Sequence, residues 1–306
     1  MVLLTFVGKI DKFCALFDIM NSSFYKYFPI SDQDKNWGLH ILDCGSVHIH
    51  PGMNMSNVPH PNQYQLSWEK GRVLNEYQLI YLAEGCGIFE SKRSGQITIK
   101  SGSIILLFPG VWHRYKPKDD ETWNTYWIGF NGNIAASMIP KLGITEENPI
   151  SIIGNHDQIV NAFIEMIDIG QMEFSGYQQV LAGELFKLFG WIYALTKKSG
   201  FKESNIDSVI HRAKLQLMQL EHHIEIEEIA KELSLGYSKF RKLFKDYTGM
   251  SPGQFRMQYK LKKAMQMLNE GDLSIKEIAL ILGFESAQYF TRIFKLKTGT
   301  TPGKYK

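Results

Sequence analysis

The sequence predicts an α+β protein in two parts. The first is an antiparallel β-sandwich or barrel with a helical pair; the second is an all-α domain of two helix-turn-helix motifs joined by a linker helix. Three observations predict it. Short apolar runs between turn residues fill positions 38–130. Apolar residues recur at helical spacing after Gly154. The C-terminal third holds an imperfect repeat, IEEIAKELSLGYSKFRKLFKDYTGMSP from Ile226 and IKEIALILGFESAQYFTRIFKLKTGTTP from Ile275. A length of 306 residues suits roughly two domains of about 150 residues each. The predicted boundaries are 1–196, a linker at 197–206, and 207–306.

In the β-rich part, Gln78 to Leu82 leads into a Gly85/Gly87 turn. Ser94-Gly95 precedes Ile97-Thr98-Ile99, with alternate residues apolar. Ser101-Gly102 precedes the run Ile104 to Phe108, which stops at Pro109-Gly110. Short strands at this spacing are the signature of an antiparallel sandwich or barrel.

The helical pair is expected over about 155–196. Ile159, Phe163 and Ile167 share one face. Leu181, Leu185, Leu188, Ile192 and Leu195 form a coiled-coil-like seam, which can pack on the barrel or on a second copy of the chain. The opposite face is read as Phe186, Phe189 and Tyr193. The polar stretch TKKSGFKESN, 196–205, is the candidate linker.

The repeat carries the functional signal. Ile229, Ala230 and Leu233 return 49 positions later; Phe240, Phe244, Thr248, Gly249 and Pro252 return 50 positions later. A one-residue slip confined to a turn is what a duplicated helix-turn-helix would show. In the second helix of each copy, Phe240, Leu243 and Phe244, then Phe290, Ile293 and Phe294, are spaced to go inward. Outward go Ser238, Lys239, Arg241, Lys242 and Lys245, then Gln288, Thr291, Arg292 and Lys295. Arg, Lys and Gln suit base edges in the major groove, and Lys suits phosphates; Arg292 and Lys242 are assigned to base edges and Lys245 to phosphate. One such helix would be an ordinary solvated basic face; two copies point to DNA. Ser251-Pro252 starts a helix and Asn269-Glu-Gly271 stops it. That rod, about 28 Å long, would hold two readers near the roughly 34 Å spacing of successive groove windows. Residues Gln258 to Lys263 are expected to include exposed positions along it. Ser274 to Glu277 has capping-box spacing, and Glu225 stands at the first helix's cap position.

Charge agrees with this division. Residues 207–306 hold 17 Lys+Arg against 11 Asp+Glu, a net of +6, which leaves −3 for residues 1–206. Cys14, Cys44 and Cys86 form no disulfide or zinc pattern, which favours a reducing cytoplasm. The start, MVLLTFVGKIDKFCALFDIM, is a poor signal peptide and too short for a membrane span. Residues 1–19 match nothing usable, and Met20 is a candidate initiator.

The motifs EIAKELSLGYSKFRKLFK, GFESAQYFTRIFK and TGTTPGKY resemble the DNA-binding domain of AraC-type transcription regulators. The stretches YQLIYLAEGCGIF, SGSIILLFPGVWHRY and WNTYWIGF resemble the cupin-type effector domain of their sugar-responsive members. The resemblance implies a cupin-like barrel, promoter DNA as partner, a small-molecule effector, a homodimer, and contact with RNA polymerase when the protein activates. It implies Ser238, Arg241, Lys242, Gln288, Thr291 and Arg292 as groove-facing, and Arg72, Tyr115, Thr125 and Trp127 as sugar-holding.

The residues themselves add an aromatic cluster. Trp112, Tyr115, Trp123, Tyr126 and Trp127 lie within sixteen positions. Aromatic faces beside Arg72, His113 and Tyr115 suit a saccharide; the bland alternative is that the rings are barrel core. A cupin metal enzyme is the rival reading, through His48, His50 and His113, but the Gly85 to Gly102 hairpin lacks a histidine. An alkyl-acceptor would need clustered cysteines. A ligand-independent repressor whose barrel only dimerises is the remaining alternative. No metal and no cofactor is expected.

Overall fold

A computed structural model describes residues 23–51, 67–118, 121–199, 206–220 and 224–305. The Met20 start, Cys14 and most of the candidate linker lie outside the described residues. The chain divides into two compact units, 1–200 and 201–306. Among the described residues no helix is long and apolar enough to cross a membrane.

The first unit contains, in order, β1 (Phe24–Tyr27), α1 (Asp32–Asn36), β2 (His40–Ile49), β3 (Tyr77–Glu84), β4 (Cys86–Ser91), β5 (Gly95–Lys100), β6 (Ser103–Leu107), β7 (His113–Pro117), β8 (Trp123–Asn131), α2 (Asn133–Met138), β9 (Ile150–Ile152), α3 (Asp157–Met172) and α4 (Tyr177–Ser199). A six-stranded sheet has the order β1-β2-β8-β3-β6-β9, and a three-stranded sheet the order β5-β4-β7. Every pairing is antiparallel.

The large sheet is buried on both faces. Successive side chains of a strand point oppositely, so Leu79, Tyr81, Ile104, Leu106 and Ile128 pack under α3 and α4. Their neighbours Ile80, Leu82, Ile105, Leu107 and Trp127 face the small sheet's Phe89 and Ile99. That double burial explains the uninterrupted apolar run of β6, where period-2 alternation disappears. Gly85 alone makes the turn that carries the chain from the large sheet into the small one. Its φ is +104°, and a Cβ there would lie 2.1 Å from the Thr122 carbonyl oxygen. Gly87, expected in the same turn, is inside β4 opposite Pro117.

The seam on α4 is spent within its own unit: Leu181, Leu185, Leu188 and Ile192 are fully buried. Phe189 belongs to this inward stripe and not to the opposite face. Residues 185, 188, 189 and 192 share one side of a 3.6-residue helix, and Phe189 packs edge-on to Phe130 at 5.5 Å. Phe186 and Tyr193 are exposed.

The second unit is helical throughout: α5 (Ile206–Met218), α6 (Ile226–Glu232), α7 (Tyr237–Thr248), α8 (Pro252–Glu270), α9 (Ile275–Ile281), α10 (Ala287–Thr298) and α11 (Pro302–Tyr305). It has two small cores, one per repeat. Phe240 and Phe244 meet edge-on at 5.7 Å, and Phe290 and Phe294 at 5.6 Å. The slip falls where expected. The α6–α7 turn closes over Leu233–Gly236, and the α9–α10 turn takes one residue more, Leu282–Ser286. Ser234 in the first turn and Gly283 in the second both have positive φ, 58° and 61°.

Capping follows the sequence. Ser251 accepts from Gln254 N–H, Ser274 from Glu277 N–H, and Ser286 from Tyr289 N–H. At Glu225 the backbone N–H donates to the Glu228 carboxylate at 3.2 Å, so α6 begins at Ile226 despite the acidic cap. The linker helix α8 is present, and within 258–263 Gln258 and Lys262 are exposed, whereas Lys260 and Leu261 are buried. Phe255 packs edge-on to Phe244 of the first core, and Leu261, Ala264 and Leu268 enter the second. The helix is a structural member of both motifs.

Candidate nucleic-acid interface and lumen site

On α7, Phe240 and Phe244 turn inward, which leaves Ser238, Lys239, Arg241, Lys242 and Lys245 exposed. Ser238, Arg241, Lys242 and Lys245 line one shallow concavity together with Tyr237, Asp246, Ser251 and Gln254. On α10, Gln288, Arg292 and Lys295 are exposed, and the Arg292 guanidinium lies 5.4 Å from the Tyr289 ring centre. Thr291 is only half-exposed, and its hydroxyl donates to the Ala287 carbonyl one turn back at 2.8 Å. That bond leaves its methyl as the outward group. Both faces are cationic stripes on helices braced from behind by paired phenylalanines. Such a stripe can lie along a duplex, its charges on phosphates and its forked or amide groups on base edges.

The lumen between the two sheets holds a connected polar network. A short bridge ties Arg72 to His113: Arg72 N–H donates to the His113 carbonyl at 2.9 Å, and His113 N–H returns to Arg72 at 3.0 Å. Arg72 Nε also donates to His113 Nε2 at 3.2 Å. That ring nitrogen must therefore accept, so the proton is assigned to Nδ1, which donates to the Val111 carbonyl at 3.0 Å. Burial first, and then the adjacent Arg72 charge, push the His113 pKa down to about 3, so the imidazole stays neutral. Arg72 Nη2 donates to Gln78 Oε1 at 3.0 Å and to the Tyr115 hydroxyl at 3.4 Å. Gln78 Nε2 donates to Asp43 Oδ1 at 3.3 Å, and the Trp127 indole N–H donates to the same oxygen at 2.8 Å. Burial raises the pKa of Asp43, against the Trp127 and Gln78 hydrogen bonds and the Arg72 charge, which lower it.

The backbone explains why an aspartate points inward. Ile41 packs on the helical side and Asp43 faces the lumen, although they stand two apart on one strand. The register of β2 against β8 slips between them, and such a bulge re-aims the side chain that follows it. The bulge is held from behind by α4: Gln178 accepts from Ile41 N–H at 3.1 Å and donates to Ile41 C=O at 3.0 Å.

Four of the six lumen residues expected from the sequence, Arg72, His113, Tyr115 and Trp127, share this network. Thr125 is buried on the same strand as Trp127, in register with Val47 and Leu82. Trp112 stands apart. Its indole N–H donates to the Lys70 carbonyl at 2.9 Å, and its ring flanks Arg114, whose guanidinium stacks 4.3 Å from Trp68. It clamps the turn that leads to Arg72. Asp43, Glu76 and Gln78 escape sequence reasoning; the one hint of them is a lone acid within the apolar run of β2.

The histidines of the metal reading do not converge. His48 packs edge-on to Tyr126 and its Nδ1 lies 3.2 Å from Asn124 Oδ1, on the helical face, whereas His113 is in the lumen. Among the described residues no three potential ligands gather.

A two-part chain with a polar lumen and paired cationic helices defines a DNA-binding regulator that senses a small molecule. Comparison with known proteins agrees. Residues 62–195 match the family described as AraC-like ligand binding domain, and residues 229–306 match a helix-turn-helix domain. The uncharacterized HTH-type transcriptional regulator YfiF of Bacillus subtilis is 32% identical, over 72% of this chain and 68% of its own. The MmsAB operon regulatory protein of Pseudomonas aeruginosa is 24% identical over 76% and 75%. The raffinose operon transcriptional regulatory protein RafR of Pediococcus pentosaceus is 24% identical over 78% and 88%. The chain belongs to the AraC-type transcription regulators.

Proposed function

We propose that this regulator controls sugar or glycan utilisation genes in response to a saccharide held in the lumen. The observation that carries the reading is the Arg72–Gln78–Asp43–Trp127 network. It sets a donor, an acceptor and an indole wall side by side, the combination that fits a ring with one apolar face and many hydroxyls. The raffinose regulator among the relatives supports it. The protein would act in the cytoplasm, where promoter DNA is, and contact RNA polymerase when it activates.

DNA is read by α7 through Ser238, Lys239, Arg241, Lys242 and Lys245, and by α10 through Gln288, Thr291, Arg292 and Lys295. Two copies pair through the outer face of α4. There Val180, Phe186, Trp191 and Tyr193 are 42%, 49%, 41% and 47% exposed. Gly183 and Gly190, one heptad apart, have open space where a Cβ would stand, so a second helix can approach closely. A ligand acts on such a protein only by favouring one arrangement over another. The Gln178 brace links the lumen's Asp43 strand to α4, which offers a route for that bias.

The deciding experiment is a thermal-shift screen of the full chain against mono- and oligosaccharides, followed by promoter binding with and without each hit. Specific binding raises the melting temperature and changes promoter affinity. A barrel that ignores every sugar while the protein still binds its promoter would mean that it only dimerises.

A further inference from the structure

The duplicated motif is its own control for what each reading helix recognises. Fifty positions separate α7 from α10, so Ser238, Arg241, Lys242 and Lys245 correspond to Gln288, Thr291, Arg292 and Lys295. At 3.6 residues per turn these places span about 100° of each helix's circumference. They lie opposite Phe240 and Phe244 in the first copy and Phe290 and Phe294 in the second, which enter the two cores. The backbone frame is shared, and the chemistry changes most at one place, where Arg241 of the first copy becomes Thr291 in the second.

Thr291 cannot do what an arginine does there. An arginine brings a fork of donors, which suits the O6 and N7 acceptors of guanine. The Thr291 hydroxyl donates to the Ala287 carbonyl at 2.8 Å. A donor spent on the helix's own backbone is not offered to a base edge. What remains at the surface is the methyl group, on a half-exposed residue flanked by the exposed Gln288, Arg292 and Lys295. In the major groove one base has a matching apolar group. Thymine carries a methyl on C5, and adenine, guanine and cytosine do not.

We propose that Thr291 determines specificity by packing its methyl group on the methyl of a thymine in the base window read by α10. The proposal rests on the reading of α10 as a base reader. Arg241 makes no such contact at the equivalent place on α7. The two copies of the motif therefore recognise different sequences, and the operator of one chain is not a direct repeat. The contact removes the thymine methyl from water, which amounts to about fourfold in affinity.

The test begins with selection of a random-sequence duplex library on the full chain. The expected consensus has two unlike windows, and the window of α10 is the one that Arg292→Ala relaxes. Each thymine of that window is then replaced in turn by deoxyuridine, which keeps the base pair and removes only the methyl. One replacement should weaken wild-type binding about fourfold. Thr291→Ser keeps the hydroxyl and its bond to Ala287 but loses the methyl. It should bind the thymine site about fourfold more weakly than wild type and the uracil site equally well. Thr291→Val keeps a methyl without the hydroxyl and should still prefer thymine to uracil. A window without thymine, wild-type binding indifferent to every uracil, or a preference that survives Thr291→Ser overturns the proposal. Two identical windows do the same. Loss of the preference in Thr291→Val also overturns it, because the hydroxyl is then the reading group. If Arg292→Ala relaxes no position, α10 is not a base reader and this proposal falls with that reading. The uracil comparison uses wild-type protein alone, so it stands even if a variant does not fold.

Discussion

Lys260 offers a sharp test of how the second reader is held. It lies on α8, is 9% exposed, and its ammonium donates to the Gly283 carbonyl at 2.8 Å. The same ammonium lies 5.1 Å from the Phe284 ring centre. Gly283 and Phe284 form the turn from which α10 emerges, so this lysine ties the linker helix to the recognition helix's starting point. Lys260→Met keeps the apolar stem and removes donor and charge. Losing a charged hydrogen bond to this partly buried carbonyl costs about 1.5–3 kcal/mol, and the cation–ring contact adds about 0.5–1 kcal/mol. Burial and the nearby Arg256 charge already disfavour the ammonium, which offsets part of that. A net loss of about 1–2 kcal/mol is expected, or roughly 4–15 °C in the melting of a unit of this size. Circular dichroism of the full chain, with and without urea, reads it.

DNA binding supplies the second half of the test. Because Lys260 is buried, its charge should not enter the salt dependence. Lys260→Met should weaken promoter binding about tenfold and leave random-sequence DNA within twofold. Lys260→Arg, which keeps a donor, should recover part of the loss. Stability unchanged within about 0.5 kcal/mol, together with unchanged promoter affinity, would refute the positioning role. Equal losses on promoter and random DNA would mean that the residue touches phosphate.

Other expectations are as direct. His113 has a folded-state pKa of about 3, against 6.5 for an unperturbed histidine, so the folded form binds fewer protons between those values. Its contribution is fully present above pH 6.5 and lost as pH falls, by about 2 kcal/mol at pH 5. His113→Gln should flatten that part of the wild-type stability curve, and an identical slope in both proteins would contradict the assignment. Trp127→Ala and Arg72→Ala should abolish the effector response with DNA affinity intact, and a normal response in both would displace the lumen as the site. Arg292→Ala should cost about 1–3 kcal/mol on the promoter and relax one position, whereas Lys245→Ala should weaken all sequences alike; binding curves at several salt concentrations separate the two. Phe186→Glu with Tyr193→Glu should give monomers in sedimentation, and a persistent dimer would exclude the outer face of α4.

The two helices with exposed basic faces are legible in the sequence because their signals are local. Phe240 and Phe244, like Phe290 and Phe294, fix an inward face by helical period alone, so the outward residues follow without any tertiary information. Sequence reasoning fails where one face carries too much apolar material. Phe189 belongs to the same stripe as Leu185 and Ile192, and only packing against Phe130 shows it. Lys260 reads as a solvated position because lysines are seldom buried; the Gly283 carbonyl that receives it is 23 residues away.

By itself the sequence determined the duplicated motif, its slip within a turn, the caps and the β-to-α change after Gly154, because short-range sterics and periodicity specify all of these. Only the tertiary structure decided what the lumen is made of. Asp43 meets Gln78 35 residues away and Trp127 84 residues away, and it faces them because a bulge held by Gln178 reverses its side of the strand. Such a site depends on strand register and on a helix packed behind the sheet, and neither is written in the spacing of neighbouring residues.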